Sequence, residues 1–138
     1  MVLYKLGNIM IARVISGVIG LFMLSSAFRW ILDPETAAAG LAMVLLEGPG
    51  DTTTGMNTQI GDFTAFFFTA GLMACIGAYR NQHIWLYTTL SLLGSAAIFR
   101  IYAGLVHGAD FLIKAIAIEV IVSLFLCLSI YLMKKSKS

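Results

Sequence analysis

Charge is scarce in this chain. Asp, Glu, Lys and Arg make up 12% of its 138 residues, while 59% are hydrophobic. A soluble domain carries about 25% charged and about 45–50% apolar residues. So much apolar surface has no soluble interior to fill, which excludes a soluble globular module and leaves an integral membrane protein. Cysteine is nearly absent too. Cys75 and Cys127 are the two present; both sit in apolar runs without a C-x-x-C spacing, so they read as small apolar residues rather than a redox or zinc motif. Period-two alternation is missing, which argues against strands. No basic cluster is interleaved with aromatics, so nucleic acid is not an expected partner. No Ser or Cys stands beside a His in a nucleophile motif, and the two histidines, His83 and His107, fall at opposite ends of one span. No catalytic centre, metal site or cofactor is expected.

What is present is a set of four long apolar runs, each near the roughly 20 residues needed to cross a bilayer. They cover residues 9–32, 60–79, 84–106 and 111–133 of a single integral membrane domain, 1–138. The first run follows Lys5 and contains Ser25-Ser26-Ala27, the outline of a secretory signal. Arg13 interrupts it and Arg29-Trp30 follow at once, so a retained span is expected. Asp33-Pro34-Glu35-Thr36 is a helix start: Asp33 can cap, Pro34 suits the first helical position and Glu35 complements the dipole. The helix is expected over 34–47, where ~14 residues reach about 21 Å, too short to span. It is placed at the interface or folded back over the bundle mouth, with Gly48-Pro49-Gly50 ending it and a polar loop before residue 60. The expectation is an all-α, polytopic four-transmembrane-helix bundle with a short interfacial helix between spans 1 and 2.

The charges fall in layers. Lys5, Arg80, Lys134, Lys135 and Lys137 lie on one side of a four-span chain, and the loops 33–58 and 107–110 on the other side contain no Lys or Arg. The positive-inside rule then puts both termini in the cytoplasm. All seven acids, Asp33, Glu35, Glu47, Asp51, Asp62, Asp110 and Glu119, lie in the outer half or beyond it. Trp30 is assigned to the outer aromatic belt, Tyr4, Trp85 and Tyr87 to the inner one.

Depth follows from the rise per residue. Counted from the outer boundary, Glu119 lies about 12 Å down, Arg100 about 9 Å and Lys114 about 5 Å, with Asp62 and Arg29 near the surface. An isolated charge at such depth costs several kcal/mol, so Arg100 and Glu119 are expected to pair. Ala96, Ala97, Ala103 and Gly104 share the Arg100 face, and small residues mark close helix contact in membranes. Arg100 and His107 are therefore both expected to face the interior. The candidate ligand-binding or charge cluster is Arg100, Glu119, Asp62, Lys114, His107 and Arg29. Arg13 lies in the inner half, where no acid exists; it must snorkel, bind carbonyls, or hold a phosphate or lipid. The Phe66-Phe67-Phe68 block reads as lipid-facing or packing surface.

Gly61-Asp62-x-Thr64-Ala65-Phe66-Phe67, Gly71, Trp85 after the short turn, Arg100 and His107-Gly108 together resemble a bacterial family of small four-helix inner-membrane proteins, a domain of unknown function. The resemblance covers residues 60–110. In that family Arg more often stands where Thr64 does, which removes a neighbour Asp62 would have had. The resemblance implies the fold and a bacterial inner (cytoplasmic) membrane setting, with no activity. Two functional readings stand ahead of a third, an enzyme acting on a lipid or quinone with Glu119 or His107 moving protons. One is a non-enzymatic subunit or self-associating bundle locked by the charge cluster, in a homo-oligomer or larger membrane complex; its support is the small-residue faces Ser16/Gly20 and Ser91/Ser95. The other is a binder or carrier of a small anionic or amphiphilic molecule, in an outward-facing pocket with helix 34–47 as lid.

Overall fold

In a computed structural model of the chain, residues 2–49 and 52–137 are described, with side chains over 5–49 and 52–136. The expectations for Asp51 and for the side chains of Tyr4 and Lys137 lie outside the described residues. The elements are α1 (Val2–Leu32), α2 (Pro34–Gly40), α3 (Thr54–Arg80), a 3-10 turn (His83–Trp85), α4 (Leu86–His107) and α5 (Ile113–Lys137). The helices α1, α3, α4 and α5 are long and apolar enough to cross a membrane. The chain is an all-α, multi-pass membrane protein with no strand among the described residues beyond a single bridge between Gly48 and Thr52.

Three boundaries differ from expectation by six residues or more, the first being the start of α1, at Val2 rather than residue 9. The short helix stops at Gly40 rather than residue 47, and α3 begins at Thr54 rather than residue 60. The start of α2 is as predicted: Asp33 Oδ1 accepts the Thr36 N–H at 3.2 Å and Pro34 opens the helix. Its end is a Schellman motif. Ala42 sits at φ 56°, the Met43 N–H bonds back to the Ala38 carbonyl at 2.9 Å, and the Ala42 N–H bonds to the Ala39 carbonyl at 3.0 Å. After this turn, Gln59 holds the next segment to α3, accepting from the Leu46 N–H at 2.8 Å and donating to the Val44 carbonyl at 3.3 Å. The Gln59 amide thus acts as one rung of a ladder, which an apolar run such as Leu41–Leu46 gives no sign of. The early start of α3 shows that hydropathy marks the hydrocarbon and not the helix end.

Around the bundle the spans follow the order α1, α3, α4, α5, each packed on its neighbours, so that α1 lies diagonally from α4. The closest crossing is α1 on α3. A methyl group built on Gly71 would stand 2.7 Å from the Leu24 nitrogen and 2.8 Å from the Gly20 carbonyl oxygen, so glycine alone fits there. Ser16 is fully buried and donates to the Ala12 carbonyl, and Gly20 lies against Cys75 of α3. The Ser16/Gly20 face is therefore used inside the bundle. Across the α3–α4 contact, Thr89 Oγ1 donates to the Ala70 carbonyl at 2.7 Å in a buried site. The packed core draws on every span, with Met23, Ala74, Leu86, Leu93, Leu126, Ile130 and Met133 buried. Most of it lies toward the end that carries both termini. At the other end Trp30, Ala37 and Ala38 form a separate cluster capped by α2.

Candidate functional site: a cavity beneath the short helix

Between these two clusters the bundle opens into a cavity of about 550 Å³, walled by all five helices. The volume falls within the roughly 300–1,000 Å³ of small-molecule sites. Its floor and sides are apolar: Met23 of α1, Phe63, Phe66 and Phe67 of α3, Leu93 of α4 and Val122 of α5. Ala37 and Gly40 of α2, with Leu41 just after it, close over it. Arg29, Asp62, Arg100, Lys114 and Glu119 also line it. These are five of the six residues proposed above as a cluster, one or more from each spanning helix.

Arg100 and Glu119 pair as expected, Nε to Oε1 at 2.9 Å, with side chains 27% and 12% exposed. Each lies one turn from an alanine that also lines the cavity, Ala96 and Ala115. The missing side-chain volume on facing helices leaves space beside the pair. The second carboxylate oxygen of Glu119 is buried without a hydrogen-bond partner. A carboxylate has about four acceptor positions, so a donor brought to this oxygen would satisfy a group that is otherwise costly to bury. Arg29, Asp62 and Lys114 are exposed, and their side chains make no hydrogen bond or ion pair among the described residues. With the Arg100–Glu119 pair neutral, the lining carries two cations, Arg29 and Lys114, and one carboxylate, Asp62, while Asp33 lies near Arg29 outside the lining.

His107 is not part of this site. It is exposed at the end of α4, its ring edge-on to Tyr102 at 5.7 Å between centroids. The expected inward position is taken by Phe111: a methyl group on Gly104 would stand 2.5 Å from that ring. The chain folds back at Gly108, φ 68°, and lays Phe111 on the face above Arg100. Trp30 is likewise not in the aromatic belt. It is fully buried and stacked on Phe63, centroids 4.8 Å apart and 10° from parallel, because α2 folds over it. Phe66 and Phe67 are cavity wall, and only Phe68 is exposed to the outside. Trp85 and Tyr87 do lie together near the terminal end, Trp85 donating Nε1–H to Gln82 at 2.9 Å and Tyr87 beneath the Lys134 ammonium at 5.5 Å. Arg13 binds a carbonyl, one of the three options open to it: Nε donates to Ala78 at 2.9 Å. Among the described residues no group of three His, Cys, Asp or Glu is placed to hold a metal.

Comparison with protein-family models, with curated proteins and with solved structures found no match for this chain. The geometry of the cavity therefore carries the functional reading alone.

Proposed function

We propose that the bundle binds an amphiphile with an anionic headgroup, taken into the cavity beneath α2. The tail lies against Phe63, Phe66, Phe67 and Leu93, and the headgroup meets Arg29 and Lys114. A donor on the headgroup, such as a hydroxyl, bonds the open oxygen of Glu119. The observation that carries this reading is the union of a 550 Å³ largely apolar cavity with two cations at one end of it, Arg29 and Lys114, that make no hydrogen bond or ion pair among the described residues. Long apolar walls select a chain, and cations at the mouth of those walls select charge. The alternative, a subunit locked by Arg100–Glu119, has its support in the 2.9 Å pair. Of its two small-residue faces, Ser16/Gly20 is spent on α3, while Ser91/Ser95 keeps Ser91 exposed. In this proposal both termini face the cytoplasm of a bacterial cell and the cavity opens toward the outer leaflet, as the placement of Lys and Arg favours.

The test uses Trp30, which lines the cavity, as reporter in a Trp85→Phe background. The protein in nanodiscs is titrated with a spin-labelled stearic acid and with the matching fatty alcohol. The acid should quench Trp30 saturably and bind about tenfold more tightly than the alcohol, a difference of about 1.4 kcal/mol. Arg29→Gln with Lys114→Gln should remove that difference while leaving the fold unchanged. Quenching that never saturates, or an alcohol that binds as well as the acid, would overturn the reading.

A further inference from the structure

At the opposite end of the bundle, α1 and α3 leave a second concavity, of about 670 Å³, that contains one charged side chain, Arg13. Its walls are Met10, Val14 and Leu21 of α1 with Cys75 and Tyr79 of α3. Met10, Val14, Leu21 and Tyr79 are more than half exposed, so the concavity faces outward along the side of the bundle. Gly17 of α1 packs level with Ala78 of α3. Counting down the antiparallel pair, Arg13 is level with the turn just past the end of α3 at Arg80. It therefore lies at the edge of the hydrocarbon rather than deep in the inner half. From Arg13 to Leu21 the groove rises about 12 Å toward the bundle centre. One leaflet of hydrocarbon is about 15 Å deep.

We infer that this groove holds an anionic phospholipid, its phosphate on the Arg13 guanidinium and one acyl chain along Val14, Gly17 and Leu21. The Ala78 bond uses Nε of Arg13, which fixes the side chain and leaves the four N–H groups on its two terminal nitrogens for phosphate oxygens. The C-terminus of α3 opposes an anion with about half a negative charge. Arg13 and Arg80 at the same helix end bring two full positive charges against it. Among the described residues no carboxylate stands on this half of the chain to compete for Arg13; each of them lies toward the other end. A phospholipid is chosen over a soluble phosphate because the charge is set in an apolar, outward-facing track. The site is independent of the cavity beneath α2, with which it shares no residue.

The test is native mass spectrometry of the full chain released from detergent containing equal amounts of phosphatidylglycerol and phosphatidylcholine. Wild type should retain phosphatidylglycerol in preference, and Arg13→Gln should lower the retained ratio about fivefold, the worth of one basic residue at a membrane surface. Arg13→Lys should keep most of the preference. Val14→Trp, which fills the groove at an exposed position, should lower retention of both lipids and keeps the idea testable if Arg13→Gln does not fold. The proposal is overturned by an absence of preference in wild type, or by Val14→Trp retaining as much lipid. It also falls if millimolar inorganic phosphate displaces the lipid, or if a second protein chain appears in its place.

Discussion

Glu119 has one oxygen on Arg100 and one with no partner, which makes the two partners unequal under mutation. Arg100→Met strands a carboxylate within the bundle and should cost about 3 kcal/mol, seen as a lower unfolding temperature in detergent. Glu119→Gln leaves Arg100 nearer the rim, where the guanidinium can reach water, and should cost less. The double variant should be more stable than Arg100→Met alone, because removing both charges removes the desolvation cost of each. A double variant less stable than either single would count against the pair as the cause. Asp33 gives a separate, pH-dependent case. Hydrogen bonds from the Thr36 hydroxyl and backbone N–H, with Arg29 nearby, hold its carboxyl below the ordinary range. A carboxylate with a lowered folded pKa stabilises above its unfolded value, about 3.9 for Asp, and loses that effect as pH falls through the folded value. Amide protection in α2, taken relative to the unstructured exchange rate at each pH, should therefore fall below about pH 4 in wild type, and Asp33→Asn should flatten that dependence.

At the scale of elements, the glycines of α3 separate crossing from mere helix. Gly71 meets the backbone of α1 on two sides, whereas a methyl group on Gly61 would meet nothing within 4 Å. Gly71→Ala should force α1 and α3 apart and cost about 2 kcal/mol. Gly61→Ala should be neutral or gain up to about 1 kcal/mol from helix propensity. Thermal unfolding of the two variants side by side checks both, and equal effects would mean the crossing is not where the structure puts it. The same contrast explains what the sequence discloses and what it withholds. Apolar run length marks the spanning helices, and the depth of Arg100 and Glu119 along them is enough to pair the two. Ala96 reads in sequence as a mark of close helix contact, whereas in the structure it and Ala115, one turn from each charge, line the open space beside the pair. The fold-back of α2 over the bundle mouth is among the sequence expectations, but its end at Gly40 is not legible, because that end rests on Ala42 in a left-handed turn usually given to glycine, followed by an apolar segment that looks helical. The burial of Trp30 and the displacement of His107 by Phe111 depend on that fold-back and on the turn at Gly108. Local pattern could not anticipate either contact.

For the whole molecule, charge is sorted by end. Arg13, Arg80, Lys134 and Lys135 lie toward the end with the termini, and the described acids lie toward the other. The two concavities follow the same division: one at the acidic end, rimmed by mixed charge, and one at the basic end with a lone arginine. If the positive-inside rule governs insertion, this sorting fixes which leaflet each concavity meets. The orientation is checked in a Cys75→Ser, Cys127→Ser background carrying either Asn57→Cys, exposed in the first turns of α3, or Ser136→Cys near the end of α5. A membrane-impermeant maleimide added to intact cells should label Asn57→Cys and leave Ser136→Cys unlabelled until the cells are permeabilised. The reverse pattern would place the α2-covered cavity on the cytoplasmic leaflet and the Arg13 groove on the outer one. It would also mean that the five Lys and Arg of the terminal-end loops do not set topology. A graded version sharpens the result. Lys134→Gln and Lys135→Gln with two Lys placed at Ala109 and Asp110 shifts the count of loop cations by two on each side, and should produce a mixed population labelled at both positions.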